Sequence, residues 1–76
     1  MNQSQQVLAY IKMHGAIDPL TAMQALGIMR LSARIWDLRA QGFEIEAVQK
    51  KRWTPTGVKT WAEYRLIKEP TDARNI

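Results

Sequence analysis

In the first half of the chain, apolar residues recur three and four positions apart, as on helices. Val7, Leu8 and Ile11 form one stripe within a polar stretch, which predicts a first helix from about Ser4 to His14. Ser4 is placed to cap its free amides and Gly15 to stop it. After the isolated apolar residue Ile17, Asp18 and Pro19 join an N-cap side chain to a proline at the first helical position. Leu20, Met23 and Leu26 follow at three-residue spacing, so a second helix of roughly two turns is predicted with these three inward and Gly27 ending it. The segment from Met29 to Gly42, MRLSARIWDLRAQG, reads as a third helix that buries Leu31, Ile35 and Leu38. Arg30, Ala33, Trp36, Asp37 and Ala40 are left outward, with Gly42 at the stop.

Beyond Gly42 the period changes to two. Phe43, Ile45 and Ala47 alternate with Glu44, Glu46 and Val48, and later Ala62, Tyr64 and Leu66 alternate with Trp61, Glu63 and Arg65. These are two half-buried strands, and residues 50–59, KKRWTPTGVK, read as the tip of the hairpin between them. Past Ile67 the polar run KEPTDARNI has little to bury. Residues 1–67 are therefore expected to form one domain and 68–76 a disordered tail. The predicted class is α+β: three helices, the second and third joined tightly through Gly27-Ile28-Met29 as in a helix-turn-helix, followed by a two-stranded β-hairpin wing.

Composition narrows the chemistry. Within 76 residues there is no cysteine and a single histidine, His14, so no metal site or cofactor is expected and the core must rest on apolar packing. No apolar run is long enough for a membrane helix, and the polar start MNQSQQ lacks the pattern of a secretory leader; cytoplasmic placement is the expectation. Glu44 and Glu46, two apart on a solvated strand, make no convincing acid–base pair. No nucleophile motif or glycine-rich phosphate loop accompanies them, so an enzyme is not expected. His14 beside Gly15 is accounted for by the carbonyl end of the first helix.

The net charge of +4 is unevenly placed. Residues 1–27 and the last eleven are neutral, residues 28–41 carry +2, and residues 49–65 carry +4. A small-residue face on the third helix, around Ala33 and flanked by Arg30 and Arg34, fits the major groove of duplex DNA, where guanidinium groups reach phosphates or guanine acceptors. Set against this is an intrahelical pair of Arg34 with Asp37. Ser32 fits either a phosphate contact or a part in starting the helix. Lys50, Lys51, Arg52 and Lys59 suit backbone phosphates or a minor groove, and equally a charged edge that resists strand pairing. Trp36, Trp53 and Trp61 all fall on the outward side of the pattern. Trp53 and Trp61 flank the turn and are expected to pair across the strands, while Trp36 suits packing or a protein contact such as a homodimer or a host or phage protein.

The chain also resembles the small helix-turn-helix domain family found widely in bacteriophage and prophage genomes. The likeness spans about residues 5–67. It lies in the opening helix ending in His14-Gly15, the Ile17-Asp18-Pro19-Leu20 lead-in, the turn Leu26-Gly27-Ile28-Met29-Arg30-Leu31, and the run Ala33-Arg34-Ile35-Trp36-Asp37-Leu38-Arg39 with Gly42. Tyr64-Arg65-Leu66 fits the last wing strand, whereas Trp36 departs from the smaller polar residue or histidine expected at its position. The resemblance implies a winged helix that binds DNA.

Overall fold

A computed structural model describes residues 1–70 and orders them as α1 (Gln3–His14), α2 (Pro19–Leu26), α3 (Leu31–Ala40), β1 (Glu44–Thr54) and β2 (Gly57–Lys68). This is the winged helix-turn-helix arrangement expected from the pattern. Helix α1 starts earlier than Ser4, because Asn2 is the cap. Its Oδ1 accepts from the Gln5 amide at 2.8 Å while the Gln5 side chain accepts from the Asn2 amide at 3.0 Å, a reciprocal capping box. Ser4 instead lies buried in the first turn and donates its hydroxyl to Asn2. Asp18 caps α2 as expected, accepting from the Thr21 amide at 2.7 Å, with Pro19 next to it.

The inward face of α2 differs from the three-residue pattern. Ala22 is fully buried and Leu26 half-buried, whereas Leu20 is 59% and Met23 42% exposed. A helix of eight residues is too short for one period to be distinguished from another, and here the four-residue pair Ala22 and Leu26 turns inward between Ile17 and Ile28. Helix α3 buries Leu31, Ile35 and Leu38 as its pattern requires. It closes in a full Schellman motif: Phe43 N–H donates to the Leu38 carbonyl and Gly42 N–H to that of Arg39, with Gly42 at φ 101°. Phe43 packs onto the core rather than opening β1.

Among the described residues, nine form the buried core: Val7, Ile11, Ile17, Ala22, Ile28, Leu31, Ile35, Leu38 and Ile45, with Leu8, Tyr10, Leu26, Phe43, Tyr64 and Leu66 packed around them. Two contacts fix the hairpin to this core. Ile17 N–H donates to the Tyr64 carbonyl at 3.0 Å and Tyr64 N–H returns the bond at 2.8 Å, adding a one-residue third strand beside β2. On the other strand, the Arg39 guanidinium donates twice to the Ile45 carbonyl, at 2.7 and 3.2 Å.

The wing is longer than its sequence pattern suggested. Residues Lys50–Trp53 and Val58–Lys59 were expected in the tip but pair in register, leaving only Pro55 and Thr56 between Thr54 and Gly57. Both turn residues keep negative φ, Gly57 absorbs the reversal at φ 131°, and Thr54 Oγ1 donates to the Gly57 carbonyl at 2.7 Å. The consecutive cations Lys50-Lys51-Arg52 break the alternation and hid this, because a solvated ribbon has no buried side to mark it. The molecule measures 54 × 22 × 20 Å, elongated by the ribbon. Strand β2 also runs to Lys68, past the boundary expected at Ile67. Glu69 pairs with Lys12 of α1 and Pro70 lies over Gly42, while the rest of the expected tail falls outside the described residues.

The revised inward face of α2 makes Leu20 and Leu38 a contrasting pair. Leu38→Ala is expected to lower the unfolding free energy in urea by about 2–5 kcal/mol. Leu20→Ala should change it by no more than about 0.5 kcal/mol. Equal losses would restore Leu20 to the core.

Candidate nucleic-acid interface

Basic residues gather at two places, the start of α3 and the distal wing. Arg30 occupies the N-cap position of α3 rather than a place inside the helix, and no side chain caps the helix, so its first amides are left without a side-chain partner. Arg30 and Arg34 line one open depression of about 280 Å³ together with Gln3, Gly27 and Met29. Ser32 is exposed in the same first turn and Ala33 is half-buried beside it. Arg34 is engaged within the protein: its Nε lies 3.2 Å from Asp37 Oδ2 and Nη1 donates to Gln3 Oε1 at 3.4 Å. The contact with Asp37 is ionic only, since Nε is buried and finds no aligned hydrogen-bond acceptor. A pair of this kind is worth about 0.2–0.5 kcal/mol, little enough for a phosphate or a base edge to compete with it. Gln3 was not foreseen in this site, and at a sequence separation of 31 from Arg34 no local pattern could have linked them.

The wing cations separate by strand register. Arg52 stands directly opposite Lys59, and Lys50 opposite Trp61, so these four side chains share one face. Lys51, opposite Thr60, belongs to the other face. The sequence cluster is therefore two surfaces of one ribbon. Among the described residues none of Arg30, Lys50, Lys51, Arg52 or Lys59 has an ion-pair partner; the pairs present are Lys12–Glu69, Arg34–Asp37 and Arg65–Glu63. No acidic residue lies between Glu46 and Glu63, so the distal ribbon is cationic on both faces while its base holds the acids. Two cations directly apposed across strands repel each other, a cost the fold itself does not need.

The tryptophans do not share one surface. Trp53 pairs with Val58 and Trp61 with Lys50, on opposite faces, so the expected cross-strand tryptophan pair does not form. Trp61 is half-buried and, with Arg52, Lys59, Asp18, Pro19 and Leu20, lines an open groove of about 420 Å³ between the wing and the start of α2. Trp53 and Trp36 are 75% and 69% exposed. Arg39 is held by the Ile45 carbonyl, and the His14 ring stacks on Tyr10 at 4.2 Å.

With three helices, a tight turn before α3 and a paired wing in place, comparison with known families gives a consistent result. The profile of the winged helix-turn-helix domain family matches residues 2–69, and the chain belongs to that family, a fold generally used to bind DNA and typically without catalytic activity. No curated protein and no solved structure matches the chain. Among the described residues no helix is long and apolar enough to cross a membrane.

The apposed cations lead to an unusual stability prediction. Lys59→Gln should raise the unfolding free energy at low salt by about 0.2–1 kcal/mol by relieving repulsion from Arg52. The gain should shrink at high salt. Urea titrations at two ionic strengths check this; a loss of stability would mean that Lys59 supports the hairpin in some other way.

Proposed function

We propose that this chain is a non-enzymatic duplex DNA-binding protein of the cytoplasm, acting as a phage or prophage transcriptional regulator or as an accessory factor in DNA transactions. Helix α3 enters the major groove and the distal wing lies on the backbone. The observation that carries this reading is the acid-free distal ribbon, where Arg52 and Lys59 are apposed with no ion-pair partner among the described residues; Asp18 lines the same groove but caps α2. A polyanion supplies that counter-charge. In this account Lys50, Lys51, Arg52 and Lys59 contact phosphates, as do Arg30 and Ser32 at the uncapped start of α3. Ala33 allows close approach to the groove floor, and Arg34 exchanges Asp37 for a base edge or a phosphate. The phage setting rests on the likeness of the Ala33–Arg39 run to phage helix-turn-helix domains.

A second reading is favoured by Trp36, whose large apolar surface on the outward side of α3 is left exposed. There the domain would dock on a host or phage protein, or on a second copy of itself, through Trp36 with the arginines at the rim.

Fluorescence anisotropy against a random-sequence duplex across a salt series separates the two. The five cationic phosphate contacts give a slope of log affinity on log salt of roughly −4.5, and Arg52→Ala with Lys59→Ala should flatten it by about 1.8 on all sequences alike. Arg34→Ala should change preference among sequences by about 1–3 kcal/mol if that side chain reads a base. Absence of binding at low salt by folded protein would contradict the DNA reading and favour the Trp36 surface.

A further inference from the structure

Trp53 has no evident place in the economy of the fold. It sits eight residues beyond Ile45, the last buried residue of β1, which at strand rise places it about 27 Å along the ribbon from the core. Its cross-strand partner is Val58, itself 41% exposed, and the two make an apolar pair one step from the turn. The next pair on the same face is Lys51 and Thr60, and the adjoining pair on the opposite face is Arg52 and Lys59. An indole is thus held at the end of a ribbon whose every nearby charge is positive. The ribbon is continuously paired from Ile45 to Thr54, and the Thr54 hydroxyl ties the two-residue turn to Gly57. Such a tip is a hydrogen-bonded turn on a paired ribbon rather than a loose loop.

We propose that Trp53, backed by Val58, is a wedge that enters the minor groove of duplex DNA and partly unstacks a base step, so that binding bends the duplex. The proposal rests on the duplex-binding reading above and adds a mechanical step to it. The surrounding cations select the partner, since Lys50, Lys51, Arg52 and Lys59 favour a polyanion over an apolar protein pocket. They also draw the tip toward the phosphates on either side of a groove. Apolar side chains at the end of a minor-groove element unstack base steps and kink DNA, and aromatic rings stack on bases regardless of sequence. Trp61, on the other face and half-buried in the groove beside Pro19 and Leu20, is not positioned for the same role.

The test uses the full chain and a mixed-sequence duplex of about 30 base pairs carrying a donor and an acceptor dye at its ends. Anisotropy and end-to-end energy transfer are read on the same samples. The unaltered protein should raise energy transfer on binding, corresponding to a bend of about 20–90°. Trp53→Ala should remain folded by circular dichroism, bind within about tenfold of the unaltered protein, and leave transfer at the value of free DNA. Trp53→Phe should keep most of the bend. Binding by the unaltered protein without a rise in transfer, or an equal rise with Trp53→Ala, would overturn the wedge while leaving the DNA reading intact. No anisotropy change with the unaltered protein would overturn both.

Discussion

The two backbone hydrogen bonds between Ile17 and Tyr64 determine how the parts of this molecule relate. Ile17 is buried among the helices, so the bonds it exchanges with Tyr64 fasten β2 to the helical core at one point. Arg39 performs the matching task for β1 by binding the Ile45 carbonyl from the last turn of α3. A two-stranded ribbon is marginal in water by itself, and here Trp61–Tyr64 of β2 are half-buried while Gly57–Thr60 are exposed. Its distal part is ordered by pairing that begins at those two attachments. The direction in which the wing cations project is therefore set by the hydrophobic core, through one isoleucine and one arginine.

That arrangement places opposing demands on the ribbon. Near the core, Glu63 and Arg65 pair on the same strand and Ile45, Tyr64 and Leu66 supply packing. Farther out, cations stand beside and opposite one another with no acid on the ribbon itself. Stability is lowered at the end of the wing and provided at its base. This division is expected of a surface meant to meet a charged partner, because counter-charges built into the ribbon would have to be displaced on binding. Arg34 shows a milder form of the same compromise: it is oriented by Asp37 and Gln3 through contacts weak enough to be exchanged.

Much of the fold could be read from the sequence because its punctuation is strong. Asp18-Pro19, Gly15, Gly27 and Gly42 mark helix limits through local chemistry, and all four positions act where expected. The stripe of Leu31, Ile35 and Leu38 was equally clear, as ten residues give the helical period room to repeat. The departures have physical sources. Asn2 outcompeted Ser4 as the cap because Gln5 completes a reciprocal pair with it. On α2, Ala22 turned inward in place of Leu20 and Met23, a choice made by neighbours distant in sequence. Strand pairing beyond Gln49 left no hydrophobic trace, so a long ribbon resembled a broad turn. For the candidate site, residue types were legible, but the division of the wing cations between two faces and the arrival of Gln3 beside Arg34 depend on register and tertiary packing.

On the proposed reading the start of α3 and the distal wing form one DNA-contacting surface. Amide proton–nitrogen correlation spectra recorded while adding an unlabelled duplex test it residue by residue. The amides of residues 30–34 and 50–60 should shift together along a single titration, with α1 beyond its first turn little affected. Shifts confined to α1 or to the surroundings of Trp36, with the wing amides unmoved at saturation, would contradict it.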